Sequence, residues 1–96
     1  MVEEVVEKIK EILKQNGYTK RFAGPNGGFN AWVIQDVALV QVHDGSLEIT
    51  MFVIDLNKRR IIRNARYVLG AKGLCVEFDG QEYSGKWEYV SGSLAY

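Results

Sequence analysis

Apolar positions follow one period before a glycine-rich stretch and another after it. In the first part, Val2, Val5, Val6, Ile9, Ile12 and Leu13 recur at helical spacing and form one stripe. Glu3, Glu4 and Glu7 lie near the start and Lys14 in the last turn, as a helix dipole favours. Glu4 and Lys8 add an i,i+4 pair, and Asn16-Gly17 is a stop signal. The spacing predicts a helix over 2–15. At about 1.5 Å per residue it is roughly 21 Å long, enough to cross a small sheet. Residues 16–28 then read as a loop rich in breakers, with Gly24-Pro25-Asn26-Gly27-Gly28 at its end.

From residue 29 the pattern alternates. Asp44-Gly45 and Asp79-Gly80 are two-residue hairpin signals, and 56–58 and 70–73 are turn candidates. Residues 29–43 hold no Gly or Pro to reverse the chain, so they read as one long strand, bent near the charged Asp36. The turns then set a register. Val42 meets Leu47, Val40 meets Ile49 and Ala38 meets Met51; Val53 meets Ile61, Ile49 meets Ala65 and Leu47 meets Tyr67. Further on, Leu69 meets Leu74, Tyr67 meets Val76 and Val76 meets Tyr83, and the last strand continues through Trp87 and Tyr89. Four turns agree on one apolar face for the helix to cover. The expectation is an α+β fold in a single domain, 1–96. An N-terminal helix packs on a curved five-stranded antiparallel β-meander over 29–90, and 91–96 form a short tail. Residues 57–69 also fit a helix capped by Asn57 and stopped by Gly70; their β-branched content favours a strand.

This register leaves Val37, Leu39, Phe52, Ile54 and Ile62 on the other side of the sheet. A solvated face would alternate to polar residues, so this apolar cluster calls for a cover. The candidates are a second copy of the chain, a partner, the segment 91–96 or the loop 18–28. Gln41, Glu48, Arg66, Glu77 and Glu82 fall in one cross-strand row on the same face, a salt ladder in which Arg66 is structural.

Charge sharpens the picture. The 96 residues carry 12 basic and 12 acidic side chains, yet 58–72 hold Lys58, Arg59, Arg60, Arg63, Arg66 and Lys72 and no acid. Lys58, Arg59, Arg60 and Arg63 crowd one hairpin tip, and Lys20 and Arg21 join them if the glycine-rich loop lies at the same end. Clustered Arg and Lys suit an anionic partner, nucleic acid foremost. The competing reading is a solvated hairpin paired with Asp55 and Asp79, and overall neutrality speaks against a dedicated nucleic-acid domain.

Catalytic patterns are weak. The glycine cluster lacks the spacing and strand–helix context of a phosphate loop. The single His43 ends a strand, and the lone Cys75 excludes an internal disulfide and sits beside Val68 and Ser84. Glu77 and Glu82 are opposed carboxylates with Arg66 alongside, and Tyr83, Trp87 and Tyr89 share the core face. No metal or cofactor site is expected. No apolar run reaches the length of a membrane span, and the acidic start is unlike a secretory leader. The leading reading is a non-enzymatic, cytoplasmic, homodimeric binding module that meets an anionic partner through the basic hairpin. The alternatives are a protein–protein module using the apolar sheet face and, least supported by the residue inventory, a small enzyme.

Overall fold

A computed structural model describes residues 2–46 and 48–95. Helix α1 (Val2–Gln15) forms where the stripe predicts it. The amide and side-chain nitrogens of Asn16 donate to the Ile12 carbonyl at 3.1 and 2.7 Å, and Gly17 takes the left-handed conformation that ends the helix. One feature of the 16–28 loop is new. Tyr18–Phe22 form a short helix, α2, which buries Phe22 and lays the Tyr18 ring 4.7 Å from that of Phe52.

Among the described residues eight strands follow: β1 (Gly28–Ile34), β2 (Val37–His43), β3 (Ile49–Asp55), β4 (Arg60–Ile62), β5 (Arg66–Gly70), β6 (Gly73–Phe78), β7 (Gln81–Ser84) and β8 (Glu88–Ser93). The fold is α+β, with the N-terminal helix on a five-stranded antiparallel sheet. Its strands differ from the expected meander. The large sheet runs β4-β3-β2-β1-β8, and β5-β6-β7 form a second sheet. Residues 57–69 are strand, bend and strand rather than helix.

The expected long strand 29–43 is a hairpin, with Ile34 opposite Val37 across Gln35-Asp36. Gln35 reverses the chain by adopting φ 52°, and the Asp36 carbonyl accepts the Leu56 amide at 2.8 Å. Asp36 is exposed, not inward. Because a non-glycine residue in that conformation carries about 1–2 kcal/mol of strain, Gln35→Gly is expected to raise stability by about 0.5 kcal/mol after its added chain entropy. Gln35→Val should lower it. Denaturant midpoints check both.

Two further turns are longer than expected, and each reverses a face. Val40 lies opposite Phe52 rather than Ile49. The reason is the Asp44 carboxylate, which accepts the Ser46 amide at 2.9 Å and the Ser46 hydroxyl at 2.5 Å and so opens the turn into a loop. Likewise Val53 lies opposite Ile62, not Ile61. Here buried Asp55 accepts the Asn57 and Lys58 amides, both at 3.1 Å, and Arg59 takes φ 52°. The pairings expected for Ile49 with Val40 and with Ala65 are therefore absent, and those involving Leu47 lie outside the described residues. The two later hairpins form in the expected register: Leu69 opposite Leu74, Tyr67 opposite Val76 and Val76 opposite Tyr83.

The C-terminal strand corrects the last expectation. β7 ends at Ser84, Gly85 turns the chain at φ 128°, and β8 returns beside β1 with Tyr89 opposite Trp32. Ser91, Gly92 and Ser93 are thus sheet, not tail, and Leu94 is buried.

The result is three layers with two cores. Ile9, Ile12 and Leu13 of α1 pack on the large sheet's first face, with Ala38, Val40, Phe52 and Ile54. The second face carries Val37, Leu39, Val53 and Ile62, and the small sheet covers it with Leu74, Val76 and Phe78. Burial on both faces explains the continuous apolar run Val37–Val40, every residue of which is buried. Among the described residues, no helix is long and apolar enough to cross a membrane.

Candidate functional site

The five residues expected to form one interface face opposite ways. Val37, Leu39 and Ile62 lie under the small sheet, and Phe52 and Ile54 lie under α1. All five are buried by this chain's own elements, because the lengthened turns rotated β3 and β4 relative to the expected register. Two of the expected covers contribute on the helix side: Tyr18 of the loop 18–28 lies against Phe52, and Leu94 of the segment 91–96 joins the same core as Phe52 and Ile54.

The basic residues do not form one patch. Arg21 pairs with Glu48, just before β3 begins, whereas Arg60 pairs with Asp55, where β3 ends. Those ends are roughly 20 Å apart at the usual rise per strand residue. Lys20 and Arg21 therefore do not join the hairpin. Within the hairpin, Arg59 Nη1 meets Glu11 Oε2 of α1 at 2.9 Å. Arg60 Nη2 meets Asp79 Oδ2 at 2.8 Å, and its Nε lies 3.7 Å from Asp55 Oδ2. Lys20, Lys58, Arg63 and Lys72 are exposed and make no ion pair among the described residues (Lys20 is therefore solvated at the far end).

The outer face of the small sheet carries part of the expected ladder. Arg66 Nε donates to Glu77 Oε1 at 3.1 Å, and Glu82 lies opposite Glu77. Gln41 and Glu48 are absent from the row because the small sheet is separate from β2 and β3; Glu48 pairs with Arg21 instead. Cys75 lies between Val68 and Ser84 as expected, and its Sγ donates to Glu82 Oε1 at 3.1 Å. That bond, with desolvation and the nearby carboxylates, pushes the thiol pKa up, which disfavours the nucleophilic thiolate. The Ser46 bonds hold the Asp44 carboxyl below its usual range. Among the described residues, no group of three or more His, Cys, Asp or Glu is placed to hold a metal ion.

An apolar concavity lies between the sheets. Trp32, Leu39 and Met51 of the large sheet face Tyr67, Leu69 and Leu74 of the small one across about 250 Å³. Trp87 Nε1 donates to the Leu74 carbonyl at 2.9 Å and fixes β6 beside it. The Tyr89 ring lies 5.6 Å from that of Trp32, and its hydroxyl donates to Asn30 Oδ1 at 2.7 Å. Larger depressions of about 460 and 380 Å³ flank α1, but charged side chains such as Glu4, Lys8, Lys10 and Lys14 edge them. The cleft opens at β5, where Tyr67 is 39% exposed, Val68 66% and Leu69 81%. Alternation assigned Tyr67 and Leu69 to the core and so missed this mouth. The available signal was three consecutive apolar residues, Tyr67-Val68-Leu69, more than one buried face of a strand can hide.

Comparison with protein-family models, with curated proteins and with solved structures finds no match for this chain.

Proposed function

We propose that the protein is a small non-enzymatic interaction module and that the cleft between its two sheets, with the adjoining strand β5, is its working surface. The observation that carries this reading is the exposure of Tyr67 and Leu69, which line the mouth of an apolar cavity, with Val68 exposed between them on the opposite face of the same strand. Exposed contiguous apolar surface costs solubility, and it marks contact sites on proteins that retain it. The expected patch of Val37, Leu39, Phe52, Ile54 and Ile62 cannot serve, since those side chains fill the two cores. The lone Cys75 thiol fits a reducing, cytoplasmic setting.

Titrating isotope-labelled protein with indole is the direct test. Amide shifts should concentrate at Met51, Tyr67, Leu69 and Leu74, and Leu69→Glu should weaken binding at least tenfold while the fold persists. Shifts elsewhere, or none at millimolar indole, count against the cleft.

A second reading keeps nucleic acid at the basic hairpin. It is favoured by Lys58 and Arg63, which make no ion pair among the described residues, and opposed by Glu11, Asp55 and Asp79, which engage Arg59 and Arg60. In that case a DNA oligonucleotide binds with steep salt dependence, and Lys58→Ala with Arg63→Ala abolishes it.

A further inference from the structure

We infer that the open edge of β5 receives an extended acidic segment of a partner protein as an added strand, with one apolar side chain entering the cleft. This rests on the cleft being the working surface and specifies how a partner would use it.

Backbone geometry is the first argument. Gly70 and Gly73 close a two-residue turn, so hydrogen-bonded pairs alternate from there through Val68 with Cys75 and Arg66 with Glu77. Tyr67 and Leu69 therefore direct their N–H and C=O groups away from β6. The Leu74 carbonyl agrees with this phase: it turns away from β5 and accepts Trp87 Nε1 instead. β5 ends its sheet, and all five of its residues are exposed. An extended chain is the ligand that satisfies such a row of alternating donors and acceptors.

The second argument is the lack of protection. Edge strands are usually blunted by Lys, Pro, a bulge or extreme shortness. Of the other three edges, β4 has only three residues, β7 carries the polar sequence Gln81-Glu82-Tyr83-Ser84, and β8 starts with Glu88 and ends in Ser91-Gly92-Ser93. β5 carries Tyr67, Val68 and Leu69 without Lys or Pro, and its one charge, Arg66, sits at its start and is paired with Glu77 of its own sheet. Met51, which lines the cleft with Tyr67 and Leu69, continues into a cross-strand row with Gln41 and Asn30 of the large sheet that is only half-buried. An added strand would rest its inward side chains on that row.

Charge selects the partner. Arg63 precedes β5, and Lys72 follows it. Neither has an ion pair among the described residues. A strand with an apolar centre and acidic ends matches this pattern, whereas a basic one meets like charge at both ends.

The test uses a ten-residue peptide with alternating valine and threonine at its centre and two glutamates at each end. On saturation, the Tyr67 and Leu69 amides should exchange with solvent at least tenfold more slowly. Methylating the peptide nitrogens that face β5 should weaken binding at least tenfold, because side chains and charge are kept while the ladder is lost. Replacing its glutamates by lysines should weaken it at least tenfold at low salt. Equal binding of the methylated peptide overturns strand addition, and if indole still binds at Met51 and Leu69, the cleft reading stands without it. No peptide binding at millimolar concentration overturns the inference too; if indole also fails, both readings fall. Protection that rises with protein concentration alone assigns the edge to a second copy, and an oligonucleotide binding there more tightly assigns it to nucleic acid. Either result overturns the peptide assignment.

Discussion

Phe52→Glu is expected to abolish the folded state, and no smaller folded species should appear on a sizing column. Phe52 is 9% exposed, lies opposite Val40 on β2 and carries the Tyr18 ring against its own. Truncating a buried aromatic residue costs about 3–5 kcal/mol. A carboxylate placed there adds desolvation, and among the described residues no basic side chain is buried to compensate it, α1 presenting Ile9, Ile12 and Leu13 to that core. The total reaches the lower range of whole-domain stabilities, about 5 kcal/mol. Circular dichroism should report loss of structure at 25 °C, while Phe52→Leu stays folded with a milder loss. A well-folded Phe52→Glu protein would place Phe52 on the surface and refute the three-layer arrangement.

Gly27→Ala is expected to be the second most damaging change, at about 3 kcal/mol or more. A Cβ at Gly27 would lie 1.6 Å from the Phe22 carbonyl oxygen. Backbone cannot swing aside there as a side-chain tip does. Phe22 is buried in the helix-side core, and Gly27 is held from two directions. Its amide donates to the Gly24 carbonyl at 2.9 Å, and its carbonyl accepts the Leu94 amide at 3.0 Å. Relieving the overlap means parting α2 from β1 or from the end of β8. Gly24 is the control: a Cβ there meets nothing within 4 Å, so Gly24→Ala should change stability by less than about 0.5 kcal/mol. Urea unfolding of the two variants makes the comparison. Equal midpoints would mean that the loop does not pack as described.

These two residues also show where pattern reading fails. By parity Phe52 was an outer-face residue, and its actual place depends on Asp44 capturing Ser46. A three-residue shift in register is odd, so it carries every side chain of β3 across the sheet. Gly27 was one member of a breaker cluster; its special constraint comes from Phe22 and Leu94, the latter far along the chain. The candidate site behaves alike. The basic run 58–72 is plain in the composition, but Glu11 neutralises Arg59 from a separation of 48 residues. The cleft is assembled from β1, β2, β3, β5 and β6, and no local window contains it.

What local chemistry specified, it specified well: the α1 stripe and its Asn16-Gly17 stop, the α+β class, and the registers of β5 with β6 and β6 with β7, each closed by a short turn. Interactions within a few residues decide such features. Long-range packing decided the rest: the reversal at Gln35-Asp36, the return of β8 to β1, and the division of apolar residues between two cores. An apolar side chain in a strand needs burial but does not say on which face. With both faces of the large sheet covered, alternation no longer separates inside from outside, and the face is chosen by loop length and by the layer that arrives to cover it.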